Sequence, residues 1–188
     1  MPGDRSRLQR ANNDRGVRPV KRIALVLLLA LTACAPRQTA QCEAAATHEI
    51  AFSRAGARDV VTARVLGPTC SEAIALYAVR EADGHLIWTW AGPLQQLLGG
   101  EAGADAADSF VQHWAQPTVA TTGAAPAWAR LAPGQTTLDR LTYEDIRARN
   151  LPMLCHRSGA AREMCAFWEP AAGAAGLLLE QNVEENSR

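Results

Sequence analysis

The sequence predicts an α+β fold, in which a hairpin-rich antiparallel β-sheet of about seven strands packs with a few short helices. Two observations predict the sheet: short runs of alternating or β-branched residues recur along the chain, and turn-forming glycines join neighbouring runs as hairpins. A third observation predicts the helices, because apolar residues at helical spacing lie between residues that start or stop helices.

The first hairpin joins residues 48–53 to residues 59–66. The first run alternates, with Ile50 and Phe52 on one face, and the second run is rich in β-branched side chains. The segment between them is centred on Gly56, as expected for the loop of a hairpin.

The second hairpin joins residues 73–81 to residues 85–90 around Asp83-Gly84, a pair that favours a two-residue turn. Such a turn places three opposed pairs on one face, which we expect to be the core face: Tyr77 with Trp90, Val79 with Trp88, and Glu81 with Leu86. The opposite face carries Leu76, Ala78, Arg80, Ile87 and Thr89. Because that face is only partly polar, we expect a helix to cover it.

Two short helices are predicted in the middle of the chain. The first begins at Gly92-Pro93, runs through Leu98 and stops at Gly99-Gly100. Asp105 is placed to cap the second, which ends before Pro117. The apolar face of the second helix carries Phe110, Val111 and Trp114.

A third helix opens at Thr142 and ends before Pro152, with Leu141 and Ile146 placed to form a hydrophobic staple. Residues 119–133, rich in Ala, Thr, Gly and Pro, predict a long loop. The last strands are predicted at residues 153–156, 163–168 and 176–183, and residues 184–188 are predicted to be a disordered tail.

The N-terminal segment has the features of a secretory signal. Lys21 and Arg22 precede nine apolar residues, 23–31. As a helix, these nine residues span only ~14 Å, about half of a ~30 Å hydrocarbon core, which argues against a transmembrane segment. Residues 1–19 allow two interpretations: an extended positive region, or a true translation start further along, at Val17 or Val20.

The apolar run ends in Leu31-Thr32-Ala33-Cys34, and these four residues resemble the lipobox of bacterial lipoproteins. The resemblance implies that a signal peptidase recognises Leu31, Thr32 and Ala33 and cuts before Cys34. It also implies that Cys34 becomes a diacylglyceryl cysteine whose amine carries a further acyl chain such as palmitate. Two or three chains would make this membrane anchor long-lived.

The same resemblance implies a location. Ala35 follows the modified cysteine, and in enterobacterial lipoproteins a residue other than Asp there directs the protein to the outer membrane. We therefore expect residues 1–33 to be a signal peptide and residues 34–41 to be the lipidated cysteine and its tether. Residues 42–183 are then a single periplasmic domain.

Charge narrows the choice of partners. Residues 1–33 contain seven of the 19 basic and two of the 19 acidic residues, so residues 34–188 contain 12 and 17, for a net charge of −5. All 12 are arginine, and they form no basic stripe. This distribution argues against a nucleic-acid partner.

Four cysteines follow Cys34, and in an oxidising compartment they favour two disulfides. Hairpin geometry selects one of the three pairings: Cys42 lies opposite Cys70 about Gly56, and Cys155 lies opposite Cys165 about Ala160. Gly67-Pro68 is expected to end the first ladder before Cys70. No Cys-x-x-Cys or His-x-x-x-His spacing occurs, so we expect no metal.

Residues typical of catalysis are scattered. The four histidines, His48, His85, His113 and His156, belong to no known catalytic spacing, and no nucleophile or phosphate-binding motif is present. The five tryptophans favour core packing over a ligand groove. Trp128 and Arg130, in the predicted loop, are the best candidates for contact with a partner.

These observations favour a lipid-anchored envelope protein that binds a protein or glycan partner, or has a structural role, without catalysis and without a cofactor. The alternative is a hydrolase acting on cell-wall material. In that case His113 or the carboxylates within residues 139–145 would supply the acid or base.

Overall fold

The computed structural model describes residues 41–100 and 103–183, which lie within one compact unit. They form two four-stranded antiparallel sheets and three short helices, which confirms the predicted α+β class. The eight strands are divided between two sheets, where the sequence predicts one sheet of about seven. The predicted signal peptide at residues 1–33, the lipidated Cys34 with its tether up to residue 40, and the predicted tail at 184–188 lie outside the described residues.

The first sheet is an antiparallel meander whose strands follow chain order. Its strands are β1 (Cys42–Ile50), β2 (Asp59–Gly67), β3 (Ile74–Arg80) and β4 (Leu86–Pro93). Alternate residues of β1, β2 and β3 are mostly buried, as expected for a sheet with one core face.

The second sheet is also a meander. Its strands are β5 (Thr118–Thr121), β6 (Pro152–Gly159), β7 (Arg162–Glu169) and β8 (Ala174–Asn182). Strand β5 occupies the start of the segment for which the sequence predicts a loop. This edge strand has only four residues and almost no burial, so it lacks the alternating pattern that identifies the other strands.

The helices are α1 (Leu94–Leu98), α2 (Ala104–Trp114) and α3 (Arg140–Ala148), and two short 3-10 helices cover Thr122–Ala124 and Trp128–Arg130. Helix α1 stops at Gly99, as predicted, in the left-handed conformation (φ 75°). Among the described residues, no helix is long and apolar enough to cross a membrane.

Two predicted helix starts are wrong. Gly103 precedes α2 at the N-cap position, and Asp105 lies inside the first turn, where a negative charge still favours the helix dipole. Helix α3 begins earlier than Thr142, because the carboxylate of Asp139 accepts from the N–H groups of Leu141 and Thr142. Leu141 is therefore inside the helix and 82% exposed, so it forms no hydrophobic staple.

The first hairpin pairs in a register that differs from the predicted one by three positions. Strand β1 begins six residues before the predicted run at 48–53 and ends three residues before that run does. Ile50 lies opposite Asp59 and Cys42 opposite Gly67, so the loop includes all of residues 51–58. The buried carboxylate of Asp59 ends β1 early, since its Oδ2 accepts from the N–H groups of Phe52 (2.9 Å) and Ser53 (2.6 Å). Those donors are thereby removed from the ladder.

In the second hairpin, the loop contains three residues where a two-residue turn is expected. Glu81 pairs with His85, and Gly84 has φ 94°, the arrangement of a type I turn followed by a bulge glycine. A second irregularity near Ile87 restores the predicted pairs Tyr77–Trp90 and Val79–Trp88.

The consequence of this loop is that Leu86 and Ile87 exchange their predicted environments. Leu86 is 42% exposed, and Ile87 belongs to the core. The face predicted to lie under a helix is open: Ile74 and Leu76 on it are 43% and 36% exposed, so no described helix covers them.

Both predicted disulfides are present, Cys42–Cys70 and Cys155–Cys165. The second joins directly opposed residues of β6 and β7, as the sequence predicts. The first forms because the chain turns back sharply after β2. A Cβ at Gly67 would lie 2.5 Å from the Cα of Ala73, so this close approach requires glycine.

The inner strands β6 and β7 of the second sheet lie between two apolar cores, which explains why buried residues follow one another along them. On one side, Leu154 of β6 and Trp168 of β7 pack with the first sheet and α2. On the other side, neighbouring Met153 packs with Tyr143 and Ile146 of α3. Because side chains alternate along a strand, consecutive residues of β6 serve opposite cores.

Candidate binding cleft

Two adjacent pockets form one cleft at the end of the second sheet. The first, about 260 Å³, lies beside the C-terminal end of α2 and is lined by Phe110, His113, Trp114 and Arg157 among others. The second, about 590 Å³, is lined mainly by polar side chains. Glu163 and Val183 line both pockets, so we treat the two as a single site, the end cleft.

The wall shared by the two pockets is fixed by the strands that carry it. Glu163 of β7 lies opposite Gln181 of β8, and the Gln181 amide donates to Glu163 Oε1 (2.6 Å). The N–H of Val183 donates to the carbonyl of Ala161 (2.9 Å), which holds the end of β8 against the turn before β7. These side chains therefore extend from regular, hydrogen-bonded backbone.

The rest of the second pocket's lining comes from residues 124–135, and Gln135 lies in the loop after the 3-10 helix Trp128–Arg130. Three contacts tie this loop to itself and to β8: Gln135 Oε1 accepts from the N–H of Ala132 (2.8 Å), the carbonyl of Gln135 accepts from the N–H of Glu180 (2.7 Å), and the Thr136 hydroxyl donates to the carbonyl of Leu178 (2.7 Å). Gln135 is thus held at the edge of the pocket.

The two residues predicted to contact a partner have different environments. Arg130 is exposed and lines the second pocket, where its guanidinium has no ion pair with any described residue. Trp128 is half-buried against Tyr143, with ring centroids 5.7 Å apart. Its backbone N–H donates to Glu144 Oε1 (3.0 Å). Trp128 therefore packs against Tyr143, and Arg130 lines the second pocket; contact of either with a partner stays a prediction.

His156 forms part of the wall of the first pocket, but its ring is fully engaged. Its Nε2 accepts from Trp88 Nε1 (3.0 Å), and its Nδ1 donates to the carbonyl of Arg157 (2.9 Å), which also accepts from Trp114 Nε1. The ring stacks on Tyr77 at 4.2 Å. Burial lowers the pKa of His156 to about 4, so the imidazole is neutral at pH 7 and offers no free lone pair.

The residues proposed for a hydrolase do not converge. His113 donates from Nδ1 to the carbonyl of Ser109 (2.7 Å), and no described histidine nitrogen lies within 4.0 Å of a carboxylate oxygen. The carboxylates of residues 139–145 have structural partners: Asp139 caps α3, and Glu144 binds Arg147 at 2.6 Å. Hydrogen bonds from Trp128 and Arg147 lower the pKa of Glu144.

A group of possible metal ligands, Cys155, Glu163 and Cys165, meets at the cleft. The disulfide between the two cysteines leaves no thiolate to coordinate an ion. In the oxidised protein, this group therefore contributes a covalent cross-link to the cleft wall.

Comparison with protein-family models, curated proteins and solved structures gives no match to this chain. Among the residues that line the cleft, sequence reasoning singled out Arg130 as a partner contact and His113 as the acid or base of the alternative hydrolase. Gln135, Glu163, Gln181 and Asn182 come from three separate segments that only the sheet brings together. Isolated polar residues at such spacings carry no local signal.

Proposed function

We propose that this protein is a lipid-anchored component of the bacterial envelope that binds a protein or glycan partner in the end cleft without catalysis. The observation that carries the proposal is the pair of disulfides, Cys42–Cys70 and Cys155–Cys165. Disulfides of this kind persist in oxidising compartments. The signal-like segment and Leu31-Thr32-Ala33-Cys34 support the same compartment independently, and Ala35 favours the outer membrane, with the domain facing the periplasm.

The anchor constrains how the domain meets its partner. Cys34 precedes Cys42 by eight residues, which can span at most about 28 Å. The start of β1 is therefore expected to stay near the lipid surface, while the domain remains free to turn on its tether. A partner in this view is another component of the envelope within that reach.

Binding is favoured over hydrolysis by the state of the cleft side chains. His156 is neutral and saturated with hydrogen bonds, and His113 has no carboxylate partner among the described residues. The polar groups of the second pocket are amides, an arginine and a carboxylate, which recognise ligands by hydrogen bonds. No observation on the described residues favours the hydrolase.

A photo-crosslinking amino acid at position 182 tests this proposal in cells. Asn182 is exposed in the cleft, and Thr89, exposed on β4, provides a matched control position in the first sheet. We expect a defined adduct from position 182 and none of the same composition from position 89. An adduct pattern identical at both positions, or no adduct at position 182, would contradict binding in the cleft.

A further inference from the structure

We infer that the end cleft takes an acidic glycan, a sugar chain bearing carboxylate groups, held by Arg130 and Arg157 at its two pockets. This inference rests on the proposed function, because it names the ligand class of the same site. It depends on three features of the cleft: two arginines without ion pairs, a set of amides in the second pocket, and a rigid supporting backbone.

The two arginines indicate that the ligand carries negative charge. Arg130 lines the second pocket and Arg157 the first, and both are exposed. Neither guanidinium has an ion pair or hydrogen bond with a described residue. Five other described arginines pair with carboxylates, and the three that do not, Arg54, Arg80 and Arg140, line neither pocket of the cleft. A guanidinium binds a carboxylate through two parallel hydrogen bonds, which makes arginine well suited to that group.

The amides indicate that the ligand also carries neutral hydrogen-bonding groups. Gln135, Gln181 and Asn182 line the second pocket, and each amide offers both donors and acceptors. Only one Glu163 oxygen is used by Gln181, so the other can accept from a ligand O–H or N–H. A surface with donors and acceptors side by side fits the neighbouring hydroxyls of a sugar.

The lining of the second pocket disfavours an apolar ligand. Its apolar members are Ala124, Pro126 and Val183, and it has no aromatic or long aliphatic side chain to bury a hydrophobic anchor. Large aromatic side chains line only the first pocket, where Phe110 and Trp114 form part of the lining. This contrast between the pockets fits a ligand that places most of its polar groups in the larger, second pocket.

The supporting backbone lowers the entropic cost of binding. Glu163, Gln181 and Asn182 extend from paired strands, and Gln135 is held by hydrogen bonds to Ala132 and Glu180. Groups that are already ordered lose little freedom when a ligand binds. Few polar contacts can then give measurable affinity for a short oligosaccharide.

Calorimetric titration of the full-length protein in detergent micelles at pH 7 tests the inference. The probes are tetragalacturonate, which carries four carboxylates, and chitotetraose, a neutral sugar of the same length. We expect tetragalacturonate to bind at least about tenfold more tightly, and added salt to weaken that binding because charge pairs are screened. Arg130→Gln and Arg157→Gln should each weaken it by about tenfold or more, since each removes a charged pair.

Arg140→Gln is the matched control, because Arg140 is exposed and lines neither pocket of the cleft. It should leave the affinity unchanged. Equal affinity for the two tetrasaccharides, no binding of tetragalacturonate, or equal effects of all three arginine substitutions would overturn the acidic-glycan inference. If tetragalacturonate fails to bind while position 182 still yields its adduct, the ligand class is wrong and the proposed function stands.

Discussion

At the scale of single residues, His156 illustrates how a candidate catalytic group becomes a structural one. Trp88 of the first sheet donates to its Nε2, and its own Nδ1–H is donated to the carbonyl of Arg157. Only the neutral ring with a proton on Nδ1 satisfies both contacts. The residue therefore links the two sheets through one tautomer, and protonation would place two donors face to face.

This arrangement predicts how stability depends on pH. The folded-state pKa of His156 is about 4, below the ordinary value of 6.5, because burial disfavours the charged ring. The unfolded chain therefore binds the proton more readily, and stability present above pH 6.5 is lost as the pH falls through 4. We expect a loss on the order of 3 kcal/mol between pH 7 and pH 4 from this group.

Urea denaturation at pH 7, 5.5 and 4 measures the effect, with His156→Gln as the comparison. Glutamine can accept from Trp88 and donate to the Arg157 carbonyl but does not titrate. The variant should therefore show a smaller loss of unfolding free energy across this range, whatever its stability at pH 7. Parallel pH dependence in the two proteins would show that His156 is not the titrating group.

At the scale of secondary-structure elements, both hairpins were predictable in place but not in detail. Alternation and β-branched composition located the strands, and symmetry about a turn gave both disulfides. The strand registers depend on particular side-chain and turn contacts, which β-strand propensity does not predict. Asp59 ends β1 through its carboxylate, and Gly84 closes a three-residue loop. Strand β5 was missed because a short edge strand buries almost nothing.

The role of Asp59 gives a second prediction. Its carboxylate is 1% exposed and accepts from the N–H groups of Phe52 and Ser53 and from the Ser53 hydroxyl. Asp59→Ala leaves all three of these donors without their partner, so we expect a loss of about 2–4 kcal/mol in unfolding free energy. Asp59→Asn keeps one accepting oxygen and should lose less.

The matched control for Asp59 is Asp83→Ala. Asp83 is exposed and accepts only from the N–H of His85 at 3.0 Å, so its loss should cost less than about 1 kcal/mol. Urea denaturation at pH 7 compares the three variants. Equal destabilisation by Asp59→Ala and Asp83→Ala would refute the role of the buried carboxylate in ending β1.

At the scale of the whole molecule, a sheet buried on both faces separates the open first sheet from helix α3. Sequence reasoning predicted the class of fold, because each hairpin carries its own local pattern. It could not predict that the strands form two sheets, because the local sequence pattern of a hairpin does not indicate which other hairpin it pairs with. The cleft was hidden for the same reason: of its polar residues, Arg130 was singled out, while Gln135, Glu163 and Gln181 meet only after the second sheet has formed.

The outward face of the first sheet shows the same limit. A partly polar strand face suggested a covering helix, yet Ile74 and Leu76 stay exposed. Isolated exposed aliphatic residues are common on protein surfaces, so pattern alone does not determine whether such a face is covered.

The central claim, that the protein is anchored through lipid on Cys34, is tested most directly by metabolic labelling with an alkyne-bearing fatty acid, followed by mass analysis of the labelled N-terminal peptide. We predict label on a peptide that begins at Cys34, and none in Cys34→Ser. Label retained by Cys34→Ser, or an isolated protein that begins upstream of residue 34 and carries no acyl chain, would contradict the account.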